Sequence, residues 1–269
     1  MAVLPMTPSP TRTLRRAARD LAPVAAALAL CPLAAALAPA DASGPVDRAR
    51  AIAGLERGLG VFVEPAIHGW ARDHGALLAV ACLLYVWAHL PVAVGALVWA
   101  WLERPARFRA ARNVLVLSQT ITVAGYVALP TAPPRLLGDP RFSDTLSGFW
   151  GQAASTAAHG VQSPYAALPS GHVVFALVAG GTVALLARPW AVRAAAAAYP
   201  VLVAAITVVT ANHFLADAAA AVAVVAVSVM AVLRPWPRRL GEGLDGRIVS
   251  ILPRAPRGRG AAQRNSVWT

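Results

Sequence analysis

The stretch GALLAVACLLYVWAHLPVAVGALVWAWL, residues 75–102, contains no Asp, Glu, Lys or Arg. A bilayer core takes about 20 apolar residues of helix, so this run is long enough to cross a membrane. His89 and Pro91 interrupt its middle. A proline that cannot donate to the preceding turn predicts a kink or tilt there. Around this span, drawn at 76–102, lie five further apolar runs, at 21–39, 112–129, 171–187, 190–210 and 214–233. The expected fold is therefore all-α: a polytopic membrane protein built as a six-helix bundle. The composition agrees, with 58% apolar residues, 13% charged residues and a mean hydropathy of +0.58.

The chain carries a formal charge of +12, and its 24 basic residues are all arginine. They collect between apolar runs rather than interleaving with aromatics in a groove, which argues for a membrane and against nucleic acid. With the N-terminus inside, 18 arginines fall on inner segments and six on outer ones, the asymmetry of the positive-inside rule. The expectation is an integral protein of a bacterial plasma membrane with both termini cytoplasmic. Residues 1–20 form a basic N-terminus, 21–233 the membrane domain and 234–269 a basic, flexible tail. RTLRRAARD before the first span and APADA after it also fit a cleaved signal; an anchor is the preferred reading. Cys31 and Cys82 sit in apolar runs and are read as packing residues.

On this topology three segments bring polar groups to the outer face, where burying them calls for partners or a function. YVALPTAPPRLL (126–137) carries Arg135 behind a stiff proline cluster. Pro169-Ser170-Gly171-His172 opens the fourth span. VVTANHFLAD (208–217) links the last two and carries Asn212, His213 and Asp217. His213 and Asp217, four apart, share a helical face, where a carboxylate can orient an imidazole for nucleophilic attack. Alone, such a pair reads first as a polar patch at the interface. Ser170 is a natural N-cap. The unpaired amides behind it also make an anion site, with His172 placed as a general acid. Arg135 can grip two phosphate oxygens, or simply flank a helix at headgroup depth.

These residues resemble the type 2 phosphatidic acid phosphatase superfamily, and within it the inositol phosphorylceramide synthase branch. Pro169–His172 matches the family's P-S-G-H motif, and His213 with Asp217 matches its H-x-x-x-D. YAALPS from Tyr165 and PTAPPR from Pro130 match runs of the synthase-like branch. The resemblance covers about residues 55–233. It implies cofactor-free and metal-independent phosphoryl transfer from a lipid phosphate to water or an acceptor alcohol, inositol-containing alcohols included. In that scheme His213 attacks phosphorus, Asp217 orients it and His172 protonates the leaving alcohol, while Ser170, Gly171 and Arg135 hold the phosphate. The chain departs from the broad family at Ala128 and Leu136, around a first motif that lacks its lysine, and at Ile206 and Thr207, where the third motif has Ser-Arg. Arg141 or another outer group is expected to supply the missing cation, unless the site binds less charge than a phosphate monoester.

Tyr165, Asn212 and His89 are further substrate-binding candidates, with capping and structural roles as alternatives for Asn212 and His89. His68, His74 and His159 are expected in solvated outer loops, and Phe62, Trp70 and Trp150 as interface anchors. LERGLGVFVEPAIHGW (55–70) reads as an amphipathic element able to roof the site. Two competing classes are a non-catalytic membrane carrier using the histidines as a proton relay and, more distantly, a Ser/His membrane protease.

Overall fold

The computed structural model describes residues 10–149, 151 and 163–234. Trp150, His159, residues 1–9 and the tail from 235 lie outside the described residues. The described helices belong to one compact unit, which ends at Leu233.

Within this unit the helices run in the order α1 (Pro10–Ala36), α2 (Ser43–Gly58), α3 (Glu64–Arg72), α4 (Gly75–Trp87), α5 (His89–Glu103), α6 (Pro105–Ala128), α7 (Gly171–Leu186), α8 (Trp190–Val209) and α9 (Leu215–Leu233). A helical stretch over 145–149 lies between α6 and α7. Among the described residues there is no strand, only an isolated parallel bridge between Thr131 and Ala166. The fold is all-α, as expected, but the number of clear spans differs from six. Among the described residues three helices are long and apolar enough to cross a bilayer: α1 over Ala17–Ala36, α8 and α9. A fourth span is the α4–α5 pair, bent by 49° at Ala88. Pro91 explains the bend, because it has no N–H for the carbonyl of Trp87 and its ring crowds that carbonyl.

The other two expected spans fall short for identifiable reasons. α7 has 16 residues, about 24 Å at the helical rise per residue, less than a full hydrocarbon core. It is bounded by its Ser170 cap at one end and by Arg188-Pro189 at the other. α6 opens with Arg107, Arg109 and Arg112, and buries Ser118, Gln119 and Thr122 inside the bundle rather than presenting an apolar surface.

Small residues let the helices approach closely. Ala93, Ala96 and Ala100 of α5 pack with Phe108 and Leu115 of α6 and Phe175 and Val178 of α7. α7 also packs along α8, where the Gly180 backbone faces the carbonyl of Ala196 with no room for a Cβ. Val173, Val174 and Ala176 of α7 meet Val203 of α8 and Ala221 of α9. The bundle's flanks are apolar: Leu185, Trp190, Val201 and Met230 are more than 60% exposed, as suits a hydrocarbon solvent rather than water.

α2 and α3 lie across one end of the bundle. α2 buries Ala49, Ala53 and Glu56, and α3 buries Glu64, His68 and Ala71, each set spaced four and then three apart along one helical face. Ala49 and Ala53 pack on Ala132, Leu137, Phe142, Ala211 and Phe214. His68 differs from the expectation of a solvated loop residue. It is fully buried on α3, with Nδ1 2.8 Å from the Val209 carbonyl and Nε2 3.1 Å from the Ser143 hydroxyl. His74 is exposed, its ring 4.5 Å from that of Trp70. Trp70 is 54% exposed, whereas Phe62 packs edge-on to Phe142.

Candidate functional site

The segment Thr210–Phe214 turns the chain between α8 and α9. Its geometry depends on Ala211, whose φ of +54° lies in the left-handed region that costs a side chain about 1 kcal/mol. The turn is held by the Thr207 carbonyl, which accepts from the amides of both Asn212 and His213. Thr207 thus closes the loop through its backbone, at a position where the resembling motif has an arginine.

His213 is 3% exposed. Its Nδ1 lies 2.9 Å from the carbonyl oxygen of Ala167 and 3.3 Å from Asp217 Oδ2. Both neighbours are acceptors, so Nδ1 carries the proton and Nε2 keeps a free lone pair. Asp217 Oδ2 also accepts from the Phe214 amide at 2.9 Å. Asp217 Oδ1 is buried with no hydrogen-bond partner among the described residues.

The Pro-Ser-Gly-His segment is bound to this helix start through the backbone: the Ser170 amide donates to the Asp217 carbonyl at 3.1 Å. Ser170 Oγ accepts from the Val173 amide at 3.5 Å, so Ser170 does cap α7. The close fit of this segment extends to α6, because a Cβ on Gly171 would stand 2.7 Å from the Tyr126 hydroxyl and one on Gly125 would stand 2.9 Å from the Pro169 ring.

His172 points into a row of rings. It stacks on Tyr85 with centroids 4.1 Å apart, lies 4.1 Å from the His89 ring and meets His213 edge-on at 6.0 Å. At that separation the two histidines do not bond each other, but one bound group could bridge them. His89 is anchored by Nδ1, 3.2 Å from the Tyr85 carbonyl. The kink between α4 and α5 therefore places His89 beside His172. Next to the row, a cavity of about 50 Å³ is lined by Tyr85, His89, His172, Tyr199 and Thr207.

Arg135 joins the same loop. Its amide donates to the Ala211 carbonyl at 3.1 Å, and its Nη1 to Asn212 Oδ1 at 2.8 Å. Its Nε is 3.5 Å from Asp144 Oδ1 but is not aligned to hydrogen-bond it. Asn212 thus ties the guanidinium to His213, its neighbour in the chain. Arg141 is not brought in. Its Nε and Nη2 are engaged by Asp139, whose carboxyl is held down at about 2, and its side chain is about half exposed. The structure thus gives no support to Arg141 as the replacement cation. Tyr165 contributes its carbonyl to the Thr131 amide, and its ring packs on the apolar cluster around Phe214.

Sequence reasoning missed Tyr85 and Tyr126, which reach the site only through helix packing, and the Ala167 carbonyl, which the loop bridge to Thr131 positions. It also missed Glu56 and Glu64, although a signal existed. Each is an acid at the position where a buried helical stripe calls for an apolar residue.

No curated protein and no solved structure matches the chain. A family model, that of the PAP2 superfamily, matches residues 50–231, a range that contains every site residue described above. The chain belongs to the PAP2 superfamily, whose members are generally phosphoesterases or phosphotransferases.

Proposed function

We propose that this protein is an integral-membrane phosphatase or phosphotransferase acting on a lipid-borne phosphate through a phosphohistidine at His213. The observation that carries the reading is the set of contacts at His213. Its Nδ1 is committed to Ala167 and Asp217, leaving Nε2 as nucleophile, with His172 one bound group away. Nε2 attacks phosphorus, the P–O bond to the lipid alcohol breaks, and His172 gives that oxygen its proton. Arg135, Ser170 and the start of α7 hold the phosphate oxygens, and Asp217 stabilises the charge that develops on His213. Water or an acceptor alcohol then takes the phosphoryl group and returns a proton to His172.

Six crossings, a site facing the extracytoplasmic side and cytoplasmic termini are the narrower topology we propose, supported by the arginine distribution. Transfer involving an inositol-containing substrate or acceptor is the narrower chemistry, supported by the YAALPS and PTAPPR runs alone. Tyr165 on that basis, Asn212 beside His213 and His89 beside His172 are proposed as substrate-binding residues. The row His89–His172–His213 favours one alternative, a carrier that relays protons.

Incubating the purified protein with phosphatidate, polyprenyl diphosphate and phosphatidylinositol, with and without EDTA, tests the proposal. Phosphate release or headgroup transfer that survives EDTA and is lost in His213→Ala is the expected result. Equal activity in the two proteins would refute it.

A further inference from the structure

Three successive amides at the entry to α9, those of Phe214, Leu215 and Ala216, are occupied by three carboxyl groups from three helices. Asp217 Oδ2 takes the amide of Phe214, Glu64 Oε1 that of Leu215 at 2.8 Å, and Glu56 Oε1 that of Ala216 at 2.7 Å. Capping a helix start with an acid is ordinary, but three acids exceed what the partial charge of one helix terminus can balance. All three residues are at most 2% exposed. Glu56 and Glu64 hold adjacent amides, so their carboxyl groups are neighbours. Each also has a second oxygen, Oε2, that is buried with no hydrogen-bond partner of standard geometry among the described residues.

Two facing carboxylates would leave both oxygens unsatisfied and repel each other. One proton between them turns the pair into donor and acceptor and satisfies both. We propose that Glu56 and Glu64 share one proton and that this pair is a positioning device for the nucleophile, clamping the start of α9, which carries Asp217 and directly follows His213.

The surrounding charges agree. Burial, Glu64 and Asp217 together push the Glu56 carboxyl up to about 8. The cations on neighbouring elements are directed elsewhere: Arg48 Nε to the Pro130 carbonyl, Arg57 over the Phe62 ring, Arg135 to Asn212. His68, on the same helix as Glu64, is bonded to Val209 and Ser143. Retaining the proton also keeps one negative charge away from an incoming phosphate. As pH rises past about 8 and the Glu56 carboxyl ionises, the two side chains separate, the clamp loosens and turnover falls.

The positioning role rests on the reading of His213 as nucleophile; the shared proton does not, so the two are tested separately. Infrared spectra of the protein in nanodiscs at pH 7 should show a protonated-carboxyl C=O stretch that is lost in Glu56→Gln. Its absence from the wild type overturns the proposal. With phosphatidate as probe, Glu56→Ala and Glu64→Ala should lower kcat about 10-fold or more with little change in KM, as misplacement of a reacting group does. Glu56→Gln, which keeps both hydrogen bonds and cannot ionise, should stay within about 3-fold of the wild-type kcat and lose the alkaline fall in the pH profile. Alanine variants with wild-type kcat, or a Gln variant as impaired as the alanine one, overturn the positioning role. A wild type that neither releases phosphate nor transfers a headgroup from any of these lipids refutes the His213 reading, and the infrared result still decides the shared proton.

Discussion

Replacing Asp217 by asparagine separates two roles that a carboxylate beside a catalytic histidine usually combines. Where the carboxylate alone fixes the tautomer, its amide costs about 10⁴-fold in kcat. Here the Ala167 carbonyl is 2.9 Å from His213 Nδ1, closer than Asp217 Oδ2 at 3.3 Å. The proton therefore stays on Nδ1 when the carboxylate is gone. The amide oxygen of the Asp217→Asn variant can still accept from the Phe214 amide, and the bond from the Ser170 amide goes to the backbone of residue 217. What is lost is the negative charge facing the imidazole as it becomes a phosphoimidazolium. A charged hydrogen-bond partner contributes about 1.5–3 kcal/mol, so kcat should fall by about 10- to 150-fold at roughly 1.36 kcal/mol per decade. The assay is phosphate release from phosphatidate in nanodiscs, with an alkaline quench to preserve the acid-labile phosphohistidine. A loss near 10⁴ would show that Ala167 does not hold the tautomer. An unchanged kcat would show that Asp217 does not act on the transition state.

Arg135→Lys should lower kcat/KM about 10²-fold, because an ammonium cannot hold Asn212 and two phosphate oxygens together; a full-activity lysine variant would remove Arg135 from the phosphate site. Gly171→Ala puts a Cβ 2.7 Å from the Tyr126 hydroxyl, so its activity loss should shrink in a Tyr126→Phe background, and additive losses in a double-mutant cycle would contradict the contact. Gly180→Ala must push α7 from α8 at Ala196 and should destabilise by about 1–3 kcal/mol, read as a lower thermal midpoint in detergent. Burial holds His68 neutral and lowers its pKa below the ordinary value of 6.5. The unfolded chain therefore takes up the proton first, and stability falls as pH drops below about 6.5. His68→Gln should flatten the thermal midpoint between pH 7 and pH 5, and an unaltered slope would assign that dependence elsewhere.

The readings that held were those governed by short-range pattern. The apolar run at 75–102 and the position of Pro91 were enough to foresee helices and a kink, because a missing N–H acts on its own turn. Ser170 before an apolar run was legible as a cap for the same reason. His68 was misread because its partners, Val209 and Ser143, are chosen by loop packing that hydropathy does not record. The run 112–129 was read as a span, yet α6 falls short of one, because its Ser118, Gln119 and Thr122 turn inward.

The sequence by itself determined the helical, membrane-type character of the chain and the residue types available for phosphate chemistry, since both follow from composition and local spacing. Only the tertiary structure decided what each group is bonded to. It placed the Ala167 carbonyl on His213 Nδ1, Tyr85 and His89 against His172, and Glu56 and Glu64 on adjacent amides of α9. The reason is physical: a buried polar atom must take whichever partner the packed helices bring within about 3 Å, and those partners lie tens to more than a hundred residues away along the chain.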